Sequence, residues 1–239
     1  RYRPNMRLVK GEREVRIPNS VLRYAKTEAG RDYLFLHLRE PHANSEEYTD
    51  SILEVVEYFK IKRYCRLGAM YDAVPHTRPL LVTGSLGDVP QIKPVSNFKL
   101  RRSTYQGPTT IMNLVSEGID KMGIETINFM VHLPQYLQLE EDFTGTSRMI
   151  EVLSSVYDDI PSDLAPIRRG QRQYRELSSA VERNSELKGL IQQMEAYYDA
   201  QEDSDSDEVK TEEKPPDVNL SPEIENFLNE LGQRFDKEE

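Results

Sequence analysis

The segment Val74-Pro75-His76-Thr77-Arg78-Pro79 constrains the fold of this chain more than any other. Proline fixes the backbone angle φ, removes a hydrogen-bond donor and biases the preceding residue towards extended geometry. No helix can run through this segment, so we expect a stiff, extended loop that presents an imidazole, a hydroxyl and a guanidinium. Apolar runs at residues 64–70 and 80–84 flank it and predict strands. Polar groups at strand ends are where open α/β sheets usually place binding sites.

Short apolar runs alternate with helical periodicity along residues 1–163, which predicts one α/β domain. Strands are predicted at residues 33–38, 63–69, 80–84 and 127–133. Helices are predicted after Asn44, at Pro108 and over residues 144–157. The first predicted strand, the helix after Asn44 and the second strand indicate a βαβ unit with a parallel pair.

The rest of the chain is charged. Residues 164–200 predict a long helical extension whose thin apolar stripe needs a partner surface. Residues 201–220 lack apolar periodicity and predict an acidic disordered linker. Residues 221–239 predict a short C-terminal helix that begins with Ser221 and Pro222 and carries an apolar docking face.

The charge distribution argues against nucleic acid as a partner. Residues 1–200 contain 27 basic and 27 acidic side chains, whereas residues 201–239 contain 4 basic and 14 acidic ones. A neutral body offers no electrostatic attraction for nucleic acid, and the acidic tail would repel it. No apolar run approaches the ~18 residues of a membrane span, so no membrane contact is expected. The single cysteine, Cys65, excludes an internal disulfide and fits the cytoplasm.

Motifs for cofactors, metals and catalysis are missing from the sequence. The four histidines have no metal-ligand spacing, and neither phosphate-loop pattern nor nucleophile elbow occurs. We therefore expect no metal and no cofactor, and we assign no catalytic residue.

Polar residues at strand ends and at one helix start predict a crevice for a ligand. Arg78 could bind an anion or carboxylate while His76 donates or accepts a proton. The alternative is that these side chains clamp neighbouring loops together. Asp72, four residues before His76, could orient the His76 imidazole, but we expect it to be a solvated loop acid. The candidate crevice consists of Glu40, His76, Thr77, Arg78, Tyr105, Gly107, His132 and Tyr136.

Several of these motifs, taken in order, resemble the proteasome assembly chaperone family in its bacterial and archaeal form. The P-H-T-R-P string at 75–79 and the Y-x-G-P string at 105–108 are specific together. Further matches are Leu36…Glu40-Pro41, Leu67-Gly68, His132-Leu133-Pro134-Gln135-Tyr136 and Met194-Glu195-Ala196-Tyr197-Tyr198-Asp199.

The resemblance implies a three-layer α/β fold with a mostly parallel central sheet, like the purine nucleoside phosphorylases, with C-terminal helices added. It also implies a homo-oligomer, often a trimer. The family's first strand lies before the segment matching Tyr2, so we expect the sequence to be truncated at the front. Some archaeal relatives end in a hydrophobic-Tyr-any-residue tail that docks into proteasome pockets. This chain ends Phe235-Asp236-Lys237-Glu238-Glu239, so direct docking of that kind is not expected.

Two functions follow from these expectations. The first is a non-catalytic oligomeric protein-assembly or interaction factor that binds a protein partner through its C-terminal helices. The alternative is an enzyme or small-ligand-binding protein of nucleoside-phosphorylase-like fold, with a crevice around His76, Arg78 and Tyr105. Bacterial members have been labelled carboligase-like relatives of ATP-grasp enzymes, but no residues here predict an ATP site.

Overall fold

The chain forms a mixed α/β fold. A computed structural model describes residues 4–17, 19–86, 98–100, 109–160, 164–202 and 220–237. Its strands are β1 (Asn5–Val9), β2 (Glu12–Arg16), β3 (Val21–Lys26), β4 (Asp32–His37), β5 (Arg63–Asp72), β6 (Val82–Ser85), β7 (Phe98–Leu100) and β8 (Glu125–Pro134). Its helices are α1 (Ser45–Tyr58), α2 (Ile111–Lys121), α3 (Phe143–Val156), α4 (Leu164–Val181), α5 (Ser185–Glu202) and α6 (Pro222–Lys237).

The chain divides into two compact units, and the division falls within β5 and β8. The first unit contains Arg1–Arg66, Leu86–Val89 and Ser103–Ile127. The second contains Leu67–Ser85, Pro90–Arg102 and Asn128–Glu239.

Two antiparallel hairpins begin the first unit. Lys10 and Gly11 join β1 to β2, with φ angles of 52° and 87°. Two successive positive φ angles match the twist that hairpin strands require. β3 and β4 pair from Val21 opposite His37 to Lys26 opposite Asp32.

The parallel βαβ unit predicted from residues 33–69 is wrong. β4 occupies the predicted position, but it pairs with β3 in a two-stranded sheet, whereas β5 belongs to a separate four-stranded sheet. β3 precedes β4 by only the short loop of residues 27–31. A local hairpin therefore satisfies the backbone groups of β4 without a crossover connection.

Helices α1 and α2 supply the apolar core of the first unit. The helix predicted after Asn44 is α1, and α2 begins at Ile111, after the predicted start at Pro108. The buried core residues are Ile52, Val56, Ile111, Val115 and Ile119, and partly buried side chains including Leu36 and Leu53 pack against them. Their helical spacing is the pattern that predicted these helices.

The four-stranded sheet has the order β5-β8-β6-β7 and mixed strand directions. β6 runs antiparallel to β8, with Val82 opposite Val131, and parallel to β7, with Val82 opposite Phe98. The expectation of a mostly parallel sheet fails for β6 and β8. Buried apolar runs reveal that a strand is central but do not encode its direction.

The predicted long helical extension is two helices. α4 ends at Val181, and α5 begins at Ser185. The Asn184 side-chain oxygen accepts hydrogen bonds from the N–H groups of Glu186 and Leu187 at 3.0 and 3.1 Å. Asparagine is a favoured N-cap, so it starts a new helix where the apolar stripe alone suggested continuity.

Helix α6 packs into an apolar cluster of the second unit. Ile224, Leu228, Leu231 and Phe235 are buried there, against residues of α4, α5 and the segments after β5 and β8. The acidic linker predicted at 201–220 lies mostly outside the described residues, since α5 extends to Glu202 and residues 203–219 are not described. Within the described part of the chain, no helix has the length and apolar character needed to cross a membrane.

Candidate functional site

The segment between β5 and β6 forms a turn, so the expectation of an extended loop is wrong at its centre. The Arg78 N–H donates to the Pro75 carbonyl at 3.3 Å, and this bond folds the chain back on itself. Val74 and Pro75 are buried, whereas Thr77 is exposed. The turn therefore anchors its proline end in the core and directs its polar side chains towards α4 and α5.

His76 lies in a closed hydrogen-bond network rather than facing a free ligand position. The Tyr136 hydroxyl is 2.8 Å from the His76 N–H and 2.6 Å from its Nδ1, while Nε2 is 3.1 Å from the Ser178 hydroxyl. Ser178 donates its own proton to the Tyr174 carbonyl at 2.8 Å. Nε2 must therefore donate to Ser178, which leaves Nδ1 to accept from Tyr136.

Burial keeps this imidazole neutral. His76 is 5% exposed, and desolvation lowers its pKa from 6.5 to about 4, although the charge of Glu195 opposes this shift. The rings of Tyr136 and Tyr174 meet it edge-on, at centroid distances of 5.9 and 5.8 Å. At neutral pH the residue is an uncharged connector between the turn, α4 and the segment after β8.

Tyr174 connects this network to the start of α3. Its hydroxyl donates to Asp142 at 2.8 Å, and the other oxygen of that carboxylate accepts from the Gly145 N–H at 2.7 Å, which caps the helix. Burial raises the pKa of Asp142 despite both hydrogen bonds. Burial and the neighbouring Asp142 charge raise the pKa of Tyr174, so its phenol stays protonated.

Arg78 binds two carboxylates on one face of α5. Its Nε and one terminal nitrogen donate to the two oxygens of Asp199 at 2.9 and 2.8 Å, and the other terminal nitrogen donates to Glu195 at 3.0 Å. The Thr77 hydroxyl also donates to Glu195, and the Tyr198 hydroxyl donates to the Pro79 carbonyl at 2.7 Å. The bond from Arg78 lowers the pKa of Asp199. The Arg78 guanidinium thus makes its bidentate hydrogen bonds to a carboxylate of the protein itself.

A second polar chain joins three neighbouring strands. His132 on β8 lies 2.6 Å from Asp72 through Nδ1 and 2.9 Å from the Thr83 hydroxyl through Nε2. Because β8 lies between β5 and β6 in the sheet, the imidazole bridges both neighbours. Burial would raise the pKa of Asp72, but bonds from His132 and the Ala73 N–H outweigh it and lower that pKa. The expectation that Asp72 is a solvated loop acid is therefore wrong.

The remaining predicted site residues lie elsewhere. Glu40 belongs to the first unit, where its carboxylate accepts from the Ile111 N–H at 3.0 and 3.1 Å and caps α2. Tyr105 and Gly107 lie outside the described residues. Of the predicted crevice, the structure brings His76 to Tyr136, and it brings Thr77 and Arg78 to α5. Among the described side chains, no three from His, Cys, Asp and Glu group as a metal site.

The partners on α4 and α5 are what sequence reasoning missed. Tyr174 and Ser178 are four residues apart, as are Glu195 and Asp199, so each pair shares one helix face. The sequence signal for the ion pair was the spacing of Glu195 and Asp199 on one predicted helix. Their charges are opposite to that of Arg78 in the turn.

These contacts define a mixed α/β protein whose turn after β5 is bound by side chains to a C-terminal helical layer. The PAC2 family model matches residues 1–181. The chain belongs to the PAC2 family, which confirms its resemblance to the proteasome assembly chaperones.

Solved structures share this fold. One is a protein of unknown function from Corynebacterium glutamicum, with 21% identity and a TM-score of 0.73 over 85% of this chain and 75% of that one. Another is a proteasome-assembly chaperone homologue from Mycobacterium tuberculosis, with 23% identity and a TM-score of 0.67 over 79% and 80% of the two chains. A third is PbaB from Pyrococcus furiosus, an archaeal proteasome activator, with 12% identity and a TM-score of 0.56 over 74% and 76%. No curated protein matches the chain.

Proposed function

We propose that this chain is a non-catalytic assembly factor that acts by binding other protein chains. The observation that carries the proposal is that the polar side chains of the turn bind other parts of the same chain. The polar groups of His76, Thr77 and Arg78 are bonded to Tyr136, Ser178 and α5, so they hold helices in place. Membership of the PAC2 family supports the same function, and structural neighbours include a proteasome-assembly chaperone homologue.

The partner that we propose is a proteasome core subunit, reached in the cytoplasm by a homo-oligomer, with a trimer as the first candidate. A three-layer arrangement of the nucleoside-phosphorylase type is part of this proposal. The acidic tail would keep α6 tethered to α5 when α6 leaves the apolar cluster, since 17 residues separate Glu202 from Leu220.

The test of this function is sedimentation velocity of the full chain, alone and mixed with recombinant proteasome core-particle α-subunits. We expect the chain to sediment as an oligomer and to move into a larger complex in the mixture. A folded chain that stays monomeric and binds none of the subunits contradicts the proposal.

We propose that α6 is a tethered arm that either binds a protein partner or covers the chain's own apolar surface. Leu228 is buried in the cluster with α4 and α5, whereas Asn229 beside it is exposed. Leu228→Asp places a carboxylate in the apolar contact and should release α6, because burying an unpaired charge is unfavourable. Asn229→Asp adds the same charge on the exposed face and is the control. We expect only Leu228→Asp to change complex formation, and equal behaviour of both variants would refute a role for α6.

The ligand crevice around His76, Arg78 and Tyr105 stays a prediction of the sequence. A thermal-shift screen with phosphate, nucleosides and small carboxylates distinguishes it from the assembly function. A ligand at 100-fold its Kd stabilises a protein by about 2.7 kcal/mol, which such a screen detects. The assembly proposal expects no shift from these compounds.

A further inference from the structure

Thr83, His132 and Asp72 form a chain of hydrogen bonds that can activate a hydroxyl. The His132 Nδ1 atom lies 2.6 Å from an Asp72 carboxylate oxygen, and its Nε2 atom lies 2.9 Å from the Thr83 hydroxyl. In nucleophilic chemistry a hydroxyl, an imidazole and a carboxylate take this order, because the imidazole removes the hydroxyl proton while the carboxylate orients the imidazole. The assembly function proposed above uses none of these three side chains.

The carboxylate determines which nitrogen of His132 carries the proton. Burial would raise the pKa of Asp72, but hydrogen bonds from His132 and the Ala73 N–H lower it, so the carboxylate is ionised and only accepts. In the neutral imidazole the proton therefore lies on Nδ1, and Nε2 is left to accept from the Thr83 hydroxyl. His76 has the opposite tautomer, because its Nε2 donates a proton. Of these two histidines, His132 is the one whose Nε2 can take a proton from a hydroxyl.

The backbone holds this group in place without help from its side chains. The His132 N–H donates to the Leu81 carbonyl at 2.9 Å, and the Gln135 N–H donates to the Asp72 carbonyl at 3.1 Å. Pairing between β6 and β8 continues beyond the first of these bonds. The strands are therefore paired independently of the side-chain bonds, and the rigid sheet fixes the geometry of the three groups.

Thr83 is accessible from one face of the sheet. Side chains two residues apart on a strand lie on the same face, so Ser85 shares the face of β6 on which Thr83 meets His132. Thr83 is partly exposed and Ser85 is exposed, whereas His132 is only 7% exposed. The imidazole is thus shielded from water, while a small molecule can reach the hydroxyl that is bonded to it.

We propose that Thr83 is a covalent acceptor of an activated acyl group, with His132 as its general base and Asp72 as a positioning residue. The Thr83 oxygen forms a bond to the acyl carbon, and the bond from that carbon to its leaving group breaks. The hydroxyl proton passes through Nε2 of His132 to the leaving group, and nothing is oxidised or reduced. The donor class is a carboxylic acid activated as an aryl ester or a thioester. One transfer per chain is a modification and not a turnover, so the inference goes beyond the assembly function without replacing it.

Acetylation by p-nitrophenyl acetate tests this proposal. The folded full chain is treated with the ester, digested at low pH and mapped by mass spectrometry. We expect an acetyl group on Thr83. Thr126, which is also partly buried and donates its hydroxyl proton to the Ile124 carbonyl, is the control within the same chain and should stay unmodified. The test contains no partner protein, so its result is independent of the sedimentation test of assembly.

Two variants distinguish activation from a purely structural role. His132→Gln keeps polar groups at this position but removes the base. Asp72→Asn keeps the shape of the positioning residue but no longer fixes the proton on Nδ1. We expect each variant to acetylate Thr83 at least about 100-fold more slowly than the wild type.

Three results would overturn the proposal. They are equal acetylation of Thr83 and Thr126 in the wild type, acetylation confined to lysines, and unchanged rates at Thr83 in the folded variants. Circular dichroism and urea unfolding establish that each variant is folded. The comparison of the two threonines in the wild-type chain decides the question where a variant does not fold.

Discussion

Acidification is expected to destabilise the second unit through His76. Burial lowers the pKa of this imidazole from 6.5 to about 4. Between these two values the unfolded chain binds a proton at His76, whereas the folded chain does not. Stability contributed by this residue therefore falls as the pH drops from about 7 towards 4, and it changes no further at lower pH.

The size of the effect follows from the difference between the two pKa values. One pKa unit corresponds to ~1.4 kcal/mol, so the full window is about 3 kcal/mol, of which about 2 kcal/mol is lost between pH 7 and pH 5. The side chain is only 5% exposed, so solvent screens it little. A proton added to Nδ1 would also face the Tyr136 hydroxyl, which now donates to that nitrogen.

Two measurements check this prediction. The chain has four histidines, so ring-proton NMR can follow each titration, and the His76 signal should move near pH 4. Urea unfolding of the wild type, His76→Gln and the exposed-site control His37→Gln at pH 7 and pH 5 gives the energetic effect. We expect His76→Gln to lose about 2 kcal/mol less than the wild type on acidification. Titration of His76 near 6.5, or the same loss in both chains, would refute the reasoning.

Other predictions concern hydrogen bonding and helix packing. Tyr136→Phe removes the hydroxyl that serves two nitrogens of one buried histidine, and we expect a loss of about 1–3 kcal/mol in urea unfolding. Tyr24→Phe removes an exposed hydroxyl and should change stability by less than about 0.5 kcal/mol, so equal effects would contradict the network. Gly170→Ala places a methyl group 2.6 Å from the backbone of α3 and should cost about 1–3 kcal/mol. Gly189→Ala meets open space and should stabilise α5 by about 0.5–1 kcal/mol, and thermal melts that shift both chains the same way would contradict this packing.

The sequence predicts strands and helices that bury apolar residues in a regular pattern. It misses exposed strands that are held only by pairing with a neighbouring strand. The strands predicted at residues 63–69, 80–84 and 127–133 are β5, β6 and β8, because short runs of apolar residues bounded by turn signals predict strands. β1 and β2 were not predicted, since their side chains are exposed and carry no clear alternation of burial. Strand direction was also beyond the sequence, as the antiparallel pairing of β6 with β8 shows.

The candidate site was predictable in its positions but not in its partners. His76 and Tyr136 were expected at one crevice, and the structure brings them within 2.6 Å. Whether Arg78 faces a ligand or a protein carboxylate depends on where α5 lies. Arg78 and Glu195 are 117 residues apart in the sequence, so their contact could not be predicted from local patterns. Asn184 separates α4 from α5, and asparagine is a residue type that favours helix N-caps. It lies within the apolar stripe of residues 164–200, which suggested a single helix.

The contacts of α5 restrict how its length can change. Glu195, Tyr198 and Asp199 reach the turn because spacings of three and four residues place them on one face of the helix. Inserting one residue between Asn184 and Glu195 would rotate all three by ~100°, since a turn takes 3.6 residues. Their contacts with Arg78 and Pro79 would then be lost together. In related proteins that keep these contacts, we therefore expect insertions or deletions in α5 before Glu195 to have lengths close to a whole number of helical turns.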